Sequence, residues 1–239
     1  MLTEFILTLS NLATSLLTGI TGLGGGMILL GLMPLFLPAA AIVPVHGVTQ
    51  LAANASRAWF GRDALEWRYF RPFLVGSLAG IAVFGVAVHW VNLDWIPLFI
   101  GIYILLLQWA PRLIRLMQRL ENFYVCGFIQ TGLGLFVGAP GPLAIAMLNR
   151  RYDNKHMVVS VGALMMSVVH FAKLPVYLSL GFSFAEYGLL MAWMVAASIA
   201  GSWLGVRLRH RFPMPWLAKI LPWLLTAIAL KLIVTMLFF

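Results

Sequence analysis

Apolar positions along the chain gather into two successive series of runs separated by short polar or glycine-rich breaks. The first series falls at about 3–20, 26–38, 42–60, 72–91 and 95–111, and the second at about 122–137, 141–149, 157–180, 186–206 and 216–238. Runs of about 18 to 25 residues have the length of helix that crosses a hydrocarbon core of about 30 Å. Each series opens with a long piece, a Gly or Pro break and a short piece, and three full-length runs follow. The pattern predicts an all-α integral membrane protein, each half a broken helix pair plus three transmembrane helices.

The first break is TGLGGGMILL, Thr21 to Leu30, which sets Gly22, Gly24, Gly25 and Gly26 between two apolar runs. Each glycine in a helix interior costs roughly 1 kcal/mol relative to alanine, so the stretch predicts open backbone. Pro140 and Pro142 break the second half in the same place. At a shift of 116 residues GLGGGM from Gly22 falls on GAPGPL from Gly138, Asn54 on His170 and Arg57 on Lys173. After five extra residues the shift becomes 121 and aligns Ala79-Gly80 with Ala200-Gly201 and Trp95 with Trp216. This predicts a duplication, with repeats at 1–119 and 120–239 of a single transmembrane domain.

Charge orients the repeats. Basic clusters occur at Arg57 to Arg71, Arg112 to Arg119, Arg150 to Lys155 and Arg207 to Lys219, whereas the loops near Pro38 to Ile42, His89 to Trp95 and Leu180 to Glu186 carry no Lys or Arg. Basic loops stay in the cytoplasm, so those without Lys or Arg are expected outside, with Trp90 and Trp95 at the interface. The basic loop at 57–71 corresponds to the non-basic loop near 180, and the non-basic loop near 92 to the basic one at 207–219. The two repeats are therefore expected to be inverted, with an odd number of passes each. The broken opening segment then goes in and comes back as a re-entrant helix pair, giving about eight membrane-spanning units in total and both termini outside the cytoplasm. The N-terminal MLTEFILTLS has no basic residue before its apolar run, does not resemble a cleaved secretory signal, and is taken as the first membrane segment.

Composition agrees: 62% hydrophobic and 10% charged residues, with mean hydropathy +0.96 over 239 residues. The net charge of +9 is accounted for by juxtamembrane loops, and no basic soluble domain exists to make nucleic acid a partner. The single cysteine, Cys126, excludes an intramolecular disulfide and suits a packing role.

All seven acids, Glu4, Asp63, Glu66, Asp94, Glu121, Asp153 and Glu186, fall at segment ends or in loops. Cation transporters usually need an intramembrane carboxylate, so an anion is the expected cargo. Neither a metal-ligand cluster nor an oriented nucleophile and base is legible; Ser167 and His170 are three apart, but no third group orients the imidazole. The chain is not expected to be an enzyme or to hold a cofactor or metal.

Polar groups instead line helical stripes. His46, Gln50, Asn54 and Arg57 are separated by four, four and three residues, and Ser167, His170 and Lys173 form a similar stripe with Tyr177 a turn further on. Interrupted membrane helices aim backbone polar groups at a shared cavity. The candidate substrate-binding set is therefore Gly24, Gly25, Gly26, Gln50, Asn54 and Arg57 from the first half, with Gly138, Pro140, Gly141, Ser167, His170 and Lys173 from the second. Bland alternatives stand beside it: His46 as a packing residue, Arg57 as an interfacial anchor, Lys173 and Lys231 snorkelling to the surface.

The stretches TGITGLGGGMILLGLMPLFLP, VPVHGVTQLAANASRAWFGR and GLGLFVGAPGPLAIAMLN, with the helix that carries His170 and Lys173, resemble the TauE/SafE sulfite exporter family of membrane permeases. The resemblance covers essentially the whole chain and its two-half layout; GAPGP stands where members often show a run of glycines. It implies export of sulfite, an organosulfonate or a related small anion across a bacterial inner (plasma) membrane.

The expected function is thus a secondary membrane transporter working by alternating access. The anion would sit between the two breaks, Arg57 and Lys173 would lie near the two mouths, and the halves would rock against each other. Coupling would use a proton, through His170 or on the substrate. The alternatives are a non-transporting anion receptor or assembly factor, and an anion channel. The oligomeric state is not legible.

Overall fold

The computed structural model describes residues 1–239 apart from 23, 111, 113–115, 117–120, 210–214 and 239, and the side chains of 215–218 are also outside the described set. The basic residues Arg115, Arg119 and Arg211 and the Trp216 side chain, all used above, lie outside the described residues. Among the described residues all regular structure is helical. The first half contains α1 (Leu2–Thr21), α2 (Gly25–Leu32), α3 (Ala39–Phe60), α4 (Phe70–Ala87) and α5 (Ile96–Trp109), and the second α6 (Phe123–Val137), α7 (Leu143–Asn149), α8 (Lys155–Ser179), α9 (Gly188–Leu208) and α10 (Pro215–Phe238).

Among the described residues four stretches are long and apolar enough to span a membrane, Phe70–Trp90, Lys155–Ser179, Phe184–Leu208 and Lys219–Phe238, while Gly25–Leu35, Leu93–Trp109 and Phe123–Val137 are shorter apolar helices. The protein is a multi-pass membrane protein of helices.

Both breaks reverse the chain. α1 closes on Gly22 in the left-handed region (φ 84°), whose N–H donates to the Thr18 carbonyl, and α6 closes on Gly138 at φ 75°. A side chain at either position would be strained. Beyond the first turn, Gly25 lies against the Thr14 carbonyl and Thr18 Oγ1 so closely that no Cβ fits. Beyond the second, the Gly141 carbonyl accepts a 2.9 Å bond from Gln130 Nε2. Gly25 and Gly141, like Thr14 and Gln130, are 116 residues apart. The first residue of α2 and the loop before α7 thus each lie against the helix that precedes the break.

The long helices pair across the halves. α1 packs on α9, α4 on α6, α3 on α8 and α5 on α10. Residue meetings give their directions. Asn11 bonds Ser198 and Gly19 abuts Gly205, so α1 and α9 run parallel; Gly76 against Tyr124 and Gly80 against Phe128 make α4 and α6 parallel. Gly47 against Lys173 and Gly61 against Ser160 make α3 and α8 antiparallel, and Gly101 against Ile233 with Trp109 bonded to Thr226 does the same for α5 and α10.

A buried polar network ties α1, α9 and α3 together. Asn11 Nδ2 donates to the Met194 carbonyl (2.6 Å) and Ser198 Oγ (2.7 Å), while Ser198 and Ser202 donate to the Thr49 and Ala53 carbonyls. Buried polar groups in an apolar medium need such partners.

Candidate functional site

A cavity of about 210 Å³ lies where the two breaks meet α3 and α8. Its polar lining comes from Gln50, Asn54 and Arg57 on α3, His170 on α8, and His46, Thr18, Gln108 and Gln130; its apolar lining includes Met27, Ala139, Ile145, Val159, Met166 and Leu225. None of the seven acids lines it.

Of the expected site residues, Gly24, Gly26, Gln50, Asn54, Arg57, Pro140, Gly141 and His170 line the cavity. Gly25 turns to Thr14 and Thr18, Gly138 packs against Leu30, and Ser167 Oγ donates to the Ala163 carbonyl (2.9 Å) on its own helix. These three do not line the cavity.

The placement of Arg57 and Lys173 at mouths is corrected by their burial: Arg57 is 3% exposed and Lys173 0%. Lys173 does not snorkel either. Its Nζ sits behind the cavity wall, donating to the Gly138 carbonyl, 3.0 Å from His170 Nδ1 and 3.5 Å from His46 Nδ1. Lys231 is exposed, as a snorkelling residue would be.

Arg57 Nη1 donates to Asn54 Oδ1 (3.0 Å), and Asn54 Nδ2 donates to the Gln50 carbonyl (2.8 Å). Arg57 Nε and Nη2 have no partner. Both nitrogens are buried, and N–H groups of a charged donor make bonds roughly twice as strong as neutral ones when an acceptor reaches them.

Side chains donate to backbone carbonyls at both breaks. His46 Nε2 meets the Gly26 carbonyl at 2.9 Å and the Tyr103 hydroxyl donates to the Pro140 carbonyl at 2.6 Å, beside the Gln130 bond to Gly141.

At one end of the bundle, Arg209 Nε donates to the Gly19 carbonyl (3.0 Å) and Nη1 meets His156 Nδ1 (3.0 Å), whose Nε2 lies 3.3 Å from Asp63 Oδ1. The His156 hydrogen bond holds the exposed Asp63 carboxyl below its usual range.

A family model described as sulfite exporter TauE/SafE matches residues 7–232. The chain belongs to the TauE/SafE family. No curated protein and no solved structure gives a match. TauE/SafE proteins are membrane transporters rather than enzymes, and the family implies an anionic substrate, which is the chemistry the Arg57 cavity favours.

The lining of this TauE/SafE protein also contains residues that the sequence pattern did not single out as ligands: His46, treated as ambiguous, together with Thr18, Gln108 and Gln130. The repeat carried a signal for Gln130, because it stands 116 residues after Thr14, which opposes the first break. Gln108 gave none, being a lone polar residue near the end of an apolar run.

Proposed function

We propose that this chain is a secondary transporter that exports a small anion such as sulfite or an organosulfonate by alternating access around the Arg57 cavity. The observation that carries this reading is Arg57 itself, 3% exposed, with two buried N–H-bearing nitrogens unpartnered, on the wall of a cavity that no acid lines. Such a guanidinium lacks a counter-ion, and an entering oxyanion supplies one. Asn54, Gln50, His170 and the backbone at Gly24, Gly26, Pro140 and Gly141 complete the binding set. The apolar part of the lining suits the carbon chain of a sulfonate.

Support for two inverted repeats comes from the helix pairing. A two-fold rotation about an axis in the membrane plane that exchanges α1–α5 with α6–α10 requires α3 against α8 and α5 against α10 to be antiparallel, and requires α1–α9 to be repeated as α6–α4. The observed pairs have that form. With each broken pair counted as an in-and-back unit, the fold holds about eight membrane-spanning units, and the termini lie outside the cytoplasm. The pairing also changes the moving parts. Rocking one sequence half against the other would strip α1 from α9 and α4 from α6, so the bodies that rock are the mixed groups α1–α9 and α4–α6.

The test is flux into proteoliposomes of sulfite, thiosulfate, sulfate, ethanesulfonate and a short carboxylate, with sodium and potassium as cation controls. Saturable flux of one anion with trans-stimulation is the expected result. Non-saturating flux without trans-stimulation would make the protein a channel, and binding without flux would make it a receptor.

A further inference from the structure

The Lys173 cluster has no carboxylate, yet its hydrogen bonds fix each nitrogen. Lys173 Nζ faces three groups: the Gly138 carbonyl, His46 Nδ1 and His170 Nδ1. The other nitrogen of His46 faces the Gly26 carbonyl, which only accepts. His46 Nε2 therefore carries a hydrogen, and in the neutral ring Nδ1 is a bare acceptor. Two of the three neighbours of Lys173 thus accept as long as the His46 ring is neutral.

The third neighbour follows the charge on the lysine. An ammonium has three N–H groups and no lone pair, so it donates to all three neighbours. His170 Nδ1 is then bare and its Nε2, left to the cavity that His170 lines, is an N–H donor. A neutral amine has two N–H groups and one lone pair. Its hydrogens go to Gly138 and His46, and its lone pair takes a hydrogen from His170 Nδ1. His170 Nε2 is then bare and presents a lone pair to the cavity, which repels an anion.

We infer that Lys173 stores one proton for each anion bound, and that His170 relays it, switching its cavity-facing nitrogen from acceptor to donor as the proton passes. The step balances: a proton from the cavity adds to His170 Nε2, the proton on Nδ1 passes to Lys173 Nζ, and the ring remains neutral. Release of the anion reverses it, so anion and proton leave together. An ammonium buried without a counter-ion is costly in this setting, and the anion supplies that counter-ion through the imidazole.

The other titratable side chains on elements packed against α8 are Arg57 on α3, Tyr124 and Cys126 on α6, Arg71 on α4, and Arg62 and Asp63 in the short turn after α3; α8 itself adds Lys155, His156 and Tyr177. Tyr177 donates to the Leu135 carbonyl, and Asp63 is engaged by His156 at the other end of α8. Arg57 acts on His170 electrostatically.

This inference rests on the anion-transport reading, and the experiment separates the two. Purified protein in weakly buffered detergent solution with a pH-indicator dye receives sulfite, sulfate, thiosulfate or ethanesulfonate, the sulfite count being corrected for its own titration. Binding is measured in parallel by calorimetry in two buffers of different ionisation enthalpy. The expected result is uptake of roughly one proton per anion bound, as linkage requires, and none in Lys173→Met. Anion binding by the wild type with no proton uptake, or unchanged uptake in Lys173→Met, would overturn the relay and leave the transporter reading standing. Failure of the wild type to bind any probe would overturn both. If Lys173→Met does not fold, the wild-type count from the two buffers decides by itself.

Discussion

Arg57 Nη1 donates to Asn54 Oδ1 at 3.0 Å, one turn back on the same helix, and that single bond fixes the orientation of the buried guanidinium beside the cavity. The pair acts as a unit. Asn54 is held by the Gln50 carbonyl, so the orientation of the charge is set by two successive turns of α3. Arg57 stands at the start of a basic loop in the sequence, where an interfacial anchor and a ligand look alike. Burial to 3% exposure separates them.

Replacing Arg57 by Gln should lower saturable anion flux by about ten- to a hundredfold, because bonds from charged donors contribute about 1.5–3 kcal/mol and each 1.4 kcal/mol is tenfold. Arg57→Lys should lose less, since it keeps the charge and gives up the fork. The check is concentration-dependent flux in proteoliposomes at matched protein content. An anchor would leave both variants near wild type.

Asn54→Ala and His170→Ala should each abolish uptake at normal expression. One removes the brace of Arg57 and the other removes a cavity-facing imidazole. Radiolabelled or enzymatically coupled anion uptake in cells, with membrane content measured by immunoblot, tests both. Wild-type rates in the two variants would remove this cavity from consideration as the substrate site.

Helix contact through glycine makes a stability prediction independent of substrate. A Cβ on Gly76 would overlap the Tyr124 carbonyl on α6, whereas one on Gly188 meets nothing within 4 Å. Gly76→Ala should therefore destabilise by about 1–3 kcal/mol, the usual cost of overpacking, and Gly188→Ala should stay within about 0.5 kcal/mol. Thermal unfolding in one detergent distinguishes them; equal melting temperatures would show that α4 and α6 are not packed this closely.

The Asp63 to His156 contact predicts a pH effect with a definite sign. Hydrogen bonding by His156 depresses the Asp63 carboxyl, so its contribution is present above the ordinary carboxylate range and is lost as pH falls through the depressed value. The melting-temperature difference between wild type and Asp63→Asn should be small, because the group is exposed. It should be constant near neutrality and close toward zero in acid. A difference that grows as pH falls would contradict this.

Much of the site was legible because the features that make it are local. The breaks at Gly22–Gly26 and Gly138–Pro142 are runs of residues that helices disfavour, and the stripe from His46 to Arg57 follows helical spacing. Both need only neighbours along the chain. What lies behind the cavity was not legible, because it depends on meetings between helices far apart in sequence. Lys173 reads as a charge in an apolar run, and only the packing of α8 on α3 and on the end of α6 shows that its partners are two imidazoles and a carbonyl. For the same reason Asn11, one of several small polar residues in α1, gave no hint of its bonds to α9.

Those bonds impose an order on biosynthesis. Asn11 is synthesised 187 residues before its partner Ser198. At about 5–20 residues per second, that interval is roughly ten to forty seconds. Throughout it, Asn11 Nδ2 is in the bilayer with its partners on α9 not yet made. The nascent chain must be sheltered, by the insertion machinery or by transient contacts with earlier helices, until α9 arrives. A mutation that slows translation between α1 and α9 should then lower the yield of inserted protein without altering the activity of the molecules that mature.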